Sequence, residues 1–206
     1  KNKQPRINGA YLATKLAAIL NLHIYNDTIY LYSNGWYQRL SDTELNRTIR
    51  SACPMDIQMI GTRKIFEDAK TLLLADSSLL AEPYRGTEVV CVCNGLYEIA
   101  TGALLPHTPD FFLTSYVNVW LTQENASPAT PRWDNFLHFT MGGDPDLIER
   151  VHQMFGYIFS NDVKGKAFFV VQGVSGSGKS VLLSVLKSMY HPDLISVIPP
   201  TKLGER

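Results

Sequence analysis

The octapeptide GVSGSGKS at positions 173–180 narrows what this chain can fold into more than any other stretch. It satisfies the pattern G-x-x-x-x-G-K-[S/T] in full. Its three glycines let the backbone take positive φ and come close to an anion, so successive N–H groups can point to one centre. Before it, KAFFVVQ at 166–172 is a short apolar run suited to a buried parallel strand. After it, residues 181–189 repeat apolar side chains at helical spacing. A helix that opens inside the motif adds its positive end to those N–H groups. Strand, glycine loop and helix predict a site for nucleotide phosphates. Its lining is Gly173, Val174, Ser175, Gly176, Ser177, Gly178, Lys179, Ser180 and Val181. Lys179 supplies the charge for the β- and γ-phosphates, and the Ser180 hydroxyl is the ligand for Mg2+.

Twenty-six residues follow Ser180. The next apolar run, 194–198, ends on Pro199 and Pro200 and not on an acid that would hold Mg2+ or orient a water. The sequence begins with Lys1 and shows no basic-then-apolar leader. It reads as a piece of a longer polypeptide with half of a nucleotide site, expected to be inactive alone.

With 45% hydrophobic and 18% charged residues in 206, the chain is not a disordered tail. No uncharged apolar run reaches the ~18 residues of a membrane span. Three cysteines, two of them Cys91 and Cys93, do not suit a disulfide framework and imply a reducing, cytoplasmic setting. Cys53, Cys91, Cys93 and His107 lack the turn-borne spacing of zinc ligands and are expected to be ordinary buried groups.

Zero net charge hides an asymmetry. Residues 1–65 hold nine Lys/Arg against four Asp/Glu, a balance of +5. Residues 66–160 hold four against twelve, and 161–206 six against three. A polyanion is therefore expected at the ends, above all on the first segment with Arg39, Arg47, Arg50, Arg63 and Lys64.

The chain opens as a helix, with Asn8 and Gly9 as its start signal and Tyr11, Leu12, Lys15, Leu16, Ile19 and Leu20 on its stripe. Residues 28–32 and 36–40 then flank Asn34-Gly35, a hairpin signal. A two-residue loop sets Tyr32 opposite Tyr37 and Tyr30 opposite Arg39. Ile29, Leu31, Trp36 and Leu40 share the other, core-facing side. The Tyr/Arg side has two readings: a stacking platform for exposed bases, or a packed or surface-coating face. Asp42 is read as the cap of a helix through Cys53, and a further helix is expected over about 62–74. This order predicts a small α+β module, loosely winged-helix-like. A second β segment covers 89–93 and 96–99, with a turn at Thr101-Gly102. Residues 126–131, with Pro128 and Pro131, form a connector. One helix then holds Trp133, Phe136 and Leu137. Another starts at Asp144 with Pro145 and carries Leu147, Val151, Met154, Phe155 and Ile158 on one apolar face.

Several of these residues together resemble a family. Asn94, Gly95, Leu96, Tyr97, Glu98, Ile99, Thr101 and Gly102, then Leu105, Pro106 and His107, then Phe112, Leu113, Thr114 and Ser115, are similar to a block of phage and plasmid primase-helicases. In the family's order follow Pro131, Arg132, Trp133 and Phe136; residues 144–148; Phe155, Gly156 and Tyr157; Phe168 and Phe169; the glycine loop; and a tail at 200–206. The likeness covers roughly 85–206, and residues 1–84 fit the poxvirus-type amino-terminal domain only loosely. One departure is Ser177, where the family often has Asn.

The resemblance implies a superfamily 3 DNA helicase, an AAA+-like ATPase using ATP and Mg2+ and working as a ring, usually hexameric. Its partners would be single-stranded or forked DNA, further copies of itself, and a primase domain upstream on the same polypeptide, with no membrane. Its setting would be the cytoplasm of a cell hosting a phage, prophage or plasmid. The domains would be an amino-terminal α+β domain over 1–125, a connector and helical segment over 126–165, and the start of an α/β P-loop ATPase domain over 166–206. In this family, helices before the ATPase strand help subunits meet. Two functions stand side by side: a replicative helicase ATPase, with Lys179 and Ser180 catalytic, or a non-catalytic DNA-docking or oligomerisation module of a replication initiator.

Overall fold

The computed structural model describes residues 8–53, 63–122, 130–160 and 164–202. The chain divides into two compact units, Lys1–Tyr84 with Thr108–Thr114, and Arg85–His107 with Ser115–Arg206. Both are α+β, each with its own three-stranded antiparallel sheet.

The first unit opens with α1, Gly9–Ile19, capped by the Asn8 side chain, which accepts from the Ala10 and Tyr11 N–H groups. Leu12, Ala13 and Leu16 are buried, whereas Tyr11 and Ile19 face out, with Lys15 over the Tyr11 ring. The inward stripe is therefore narrower than expected. Strands β1 (Leu22–Tyr25), β2 (Thr28–Ser33) and β3 (Trp36–Arg39) form a meander. Asn34 and Gly35 both take positive φ, and the register pairs Tyr30 with Arg39 and Tyr32 with Tyr37, as the two-residue loop requires.

Helix α2, Asp42–Ala52, is capped by Ser41, not Asp42. Ser41 and Glu44 form a capping box, and those bonds hold the Glu44 carboxyl below its ordinary range. Asp42 sits one residue inside and instead takes an ion pair from Lys70, 2.6 Å away. Helix α3, Arg63–Leu74, returns alongside. Ile49, Leu45, Phe66, Ala69 and Leu73 close one core with Leu12, Leu16, Ile24 and Ile29. Among the described residues no strand of this sheet follows α3, only an isolated bridge from Leu80 to Ile24, so the order departs from that of a winged helix.

The tyrosine side of the hairpin is a second packed layer. Tyr37 is 2% exposed, stacks on His23 at 4.7 Å and meets Phe112 edge-on at 5.0 Å. Its hydroxyl donates to the Pro109 carbonyl at 2.9 Å, and its N–H to that of Leu113 at 2.8 Å. Tyr30 also meets Phe112. Residues 108–114 thus cover the face that would have stacked on bases, and that reading is withdrawn.

Burial among these rings holds His23 below its ordinary value of 6.5, opposed in part by a backbone hydrogen bond with Leu79. Below that value the unfolded chain takes up a proton that the folded unit resists, so stability is lost as pH falls. Urea midpoints are expected to drop between about pH 7.5 and pH 5, and to drop less in His23→Phe. Equal pH dependence in both proteins would contradict this.

In the second unit, β4 (Val89–Val92), β5 (Gly95–Glu98) and β6 (Leu104–Leu105) form the sheet. Asn94 closes its turn by bonding both the carbonyl and the N–H of Leu121, at 2.7 and 3.0 Å. His107 Nε2 lies 2.9 Å from the Val92 carbonyl, and Thr101 donates to Glu98. Helix α4, Pro131–Thr140, has Pro131 at its first turn. Helix α5, Pro145–Phe159, is capped by Asp144 with Pro145 next, as expected. Helix α6 spans Lys179–Ser188. Leu137, Val151, Met154, Phe155 and Leu182 make this unit's main core. Val151, Met154 and Phe155 on the apolar face of α5 are thus core residues, while Leu147 at its start stays exposed. The connector at 126–131 lies outside the described residues except at its last two positions.

The strand expected over 166–172 does not form. The segment lies beside α5, with the Phe169 ring 5.8 Å from Tyr157, but pairs with no strand among the described residues. Phe168 and Val170 are 86% and 76% exposed. A parallel strand is held by its neighbours' backbone groups, and without them an apolar sequence does not suffice.

Candidate functional site

Within the second unit, the loop 173–178 leads directly into α6. Gly176 and Gly178 have φ of +78° and +83°, the left-handed values that let the loop fold back sharply. Gly178 is the N-cap residue and offers no side chain to the first N–H groups of the helix. Those N–H groups and the positive end of α6 therefore face the loop.

Lys179 curls back into it. Its ammonium donates to the carbonyls of Gly173 at 2.8 Å and Val174 at 2.6 Å, and to Ser177 Oγ at 3.2 Å. Ser180 is exposed at the first turn of α6, and Val181 beside it is also exposed. Val174, Ser175 and Gly176 form the exposed rim, while Ser177 folds inward over Gly173. The eight residues of the motif and Val181 lie together at this loop and helix start. The set offers backbone donors, one ammonium and hydroxyls, all complementary to a polyanion once the ammonium turns from the carbonyls to the ligand.

What the sequence did not reveal is the support behind the loop. A Cβ on Gly178 would come within 3.0 Å of the Phe136 ring and 3.1 Å of Thr140 Oγ1. Helix α4 therefore presses against the start of α6, and Gly178 is required twice, by its φ and by this approach. The apolar face through Trp133, Phe136 and Leu137 marks α4 as a helix. Nothing in the sequence says which glycine it meets.

The thiols are divided between the two units. Cys53 is buried in the first unit and Cys91 in the second. Burial pushes the Cys91 thiol up to about 12. Cys93 Sγ accepts from the Tyr116 hydroxyl at 3.0 Å and lies 3.3 Å from Asn118 Oδ1. Among the described residues no group of three or more His, Cys, Asp or Glu gathers as metal ligands would. No described helix is long and apolar enough to cross a membrane.

The family described as D5 N terminal like matches residues 18–142, more than half of the sequence. This chain belongs to the D5 N-terminal-like family. Its members form the amino-terminal region of D5-type phage and poxvirus primase-helicase proteins, which act on DNA in replication. No curated protein matches the chain. The D5 match takes in β1 through α4, so residues 18–84 carry more of the family's character than their loose likeness implied. It stops before α5 and the glycine loop, whose reading rests on its own residues.

Proposed function

We propose that this D5 N-terminal-like chain works within an ATP-dependent replicative DNA helicase of the superfamily 3 type. In this reading Gly173, Val174, Ser175, Gly176, Ser177, Gly178, Lys179, Ser180 and Val181 hold the phosphates of ATP. Lys179 carries the charge and Ser180 holds Mg2+. Residues 1–125 form the amino-terminal domain, 126–165 the connector and helical segment, and 166–206 the start of the P-loop ATPase domain. Copies assemble as a hexameric ring on single-stranded or forked DNA, in the cytoplasm of a cell hosting a phage, prophage or plasmid, with a primase domain on the same polypeptide.

One conjunction supports this reading: a glycine loop with an inward lysine, opening an uncapped helix, in a chain of the D5 N-terminal-like family. Residues 1–206 alone are expected to turn over little ATP. Among the described residues the 166–172 segment joins no sheet, and Lys179 is engaged with the loop's own carbonyls. The unpaired segment also fits the second reading, a non-catalytic DNA-docking or oligomerisation module. Strand displacement on a forked duplex separates the two. The full-length protein should unwind it with ATP and Mg2+, and not without ATP. ATP-independent binding with no displacement would favour the docking module.

A further inference from the structure

Helices α2 and α3 run antiparallel in the first unit. Lys70 reaches Asp42 at 2.6 Å, tying the start of α2 to the later half of α3. At the other end, the Arg50 guanidinium lies 5.0 Å above the Phe66 ring, bringing the end of α2 to the start of α3. Arg47, one turn before Arg50, and Arg63 and Lys64, in the first turn of α3, fall at that same end. All four cations are exposed. Among the described residues the ion pairs are Lys70–Asp42 and His191–Asp193, so none of the four is in one.

Of the acidic side chains of the two helices, Asp42 is taken by Lys70, Glu44 bonds Ser41 and also feels the charge of Arg47, and Asp68 is exposed with its Cβ beside Gly9 of α1. Glu67 stands one turn beyond Lys64, as Glu44 stands one turn before Arg47. Arg63 and Lys64 also stand where positive charge opposes the helix dipole, and no acid offsets them in that turn. Among the described residues neither charge is offset by an ion pair.

We propose that this end of the α2–α3 pair is a contact surface for the phosphates of a nucleic acid strand. The inference rests on the reading of the chain as part of a DNA-acting protein. Three of the four groups are guanidinium forks, which match phosphate geometry. The exposed face of α2 carries Asp42, Thr43, Glu44, Arg47, Arg50 and Ser51, with no apolar side chain to enter a lipid surface. Of the hairpin tyrosines that might have stacked on bases, Tyr30 and Tyr37 are covered by Phe112. The contact is therefore with the backbone, indifferent to sequence and strongly salt-dependent.

The test uses Arg63→Gln/Lys64→Gln in the full-length protein, which spares the Arg50–Phe66 contact. A fluorescein-labelled single-stranded oligonucleotide of about 20 nucleotides is titrated at several salt concentrations. Loss of two phosphate contacts should lower the slope of log K against log salt by about 1.4. The thermal midpoint should stay level or rise, because two charges that oppose the dipole are gone. Lys187→Gln/Lys202→Gln should keep the wild-type slope. An unchanged slope in the Arg63/Lys64 variant, or no binding by wild type, overturns the proposal. Wild-type ATP turnover, measured alongside, separates the two failures. Turnover with an unchanged slope defeats this surface alone. A lowered slope with no turnover defeats the helicase reading and leaves the surface standing.

Discussion

Replacing Lys179 by alanine is expected to cut ATP hydrolysis by the full-length protein by about a hundredfold to a thousandfold, the usual cost of removing one donor aimed at developing charge. The ammonium is the only side-chain cation on the loop 173–178 and its first helical residues. Its present bonds are to the loop itself, at the carbonyls of Gly173 and Val174. Losing them costs little in the fold, because the core of this unit is made by Leu137, Val151, Met154, Phe155 and Leu182. Phosphate release should therefore collapse while far-UV circular dichroism stays at the wild-type level. Full turnover in a folded Lys179→Ala protein would remove the loop from the chemistry.

Ile49→Ala carries the largest expected effect on stability. Ile49 is 0% exposed, in the core where it and Leu45 of α2 meet Phe66 and the inner face of α1. Three carbons are lost, and the site is enclosed by two helices and the meander, so it collapses poorly. The cost should be about 2–5 kcal/mol. Ile19→Ala removes the same atoms from a side chain that faces water, and should fall within about 0.5 kcal/mol of wild type. Urea denaturation of both variants reads the contrast. Similar midpoints would mean that the α1–α2–α3 core is packed differently.

What could be read from the sequence was decided locally. Asn34-Gly35 fixed the register of β2 and β3, because a two-residue loop leaves one pairing open. Asp144-Pro145 fixed the start of α5 through its cap. The glycine loop was legible for the same reason: its glycines, lysine and serine are within eight residues. Strand β1 was missed because its turn, Asn26-Asp27, has no glycine, yet both residues take positive φ, which Asn and Asp tolerate.

What depended on distant partners was not legible. Residues 108–114 return across more than seventy positions to cover Tyr37. No local pattern distinguishes tyrosines awaiting that cover from tyrosines awaiting a base. The helical stripe of α1 includes Tyr11 and Ile19 by spacing, but the residues buried are Gly9, Leu12, Ala13 and Leu16. Residues 166–172 have a strand's composition without a strand's neighbours. The approach of Phe136 and Thr140 to Gly178 joins two helices about forty residues apart.

The central claim is that the loop opening α6 binds nucleotide phosphates, and equilibrium binding tests it before any turnover enters. Isothermal titration of full-length protein with ATP and Mg2+ should give saturable binding to wild type. In Lys179→Ala the affinity should fall by more than about tenfold, a loss of about 1.4 kcal/mol. Equal affinity in the two proteins would contradict the account and place any nucleotide site away from residues 173–181.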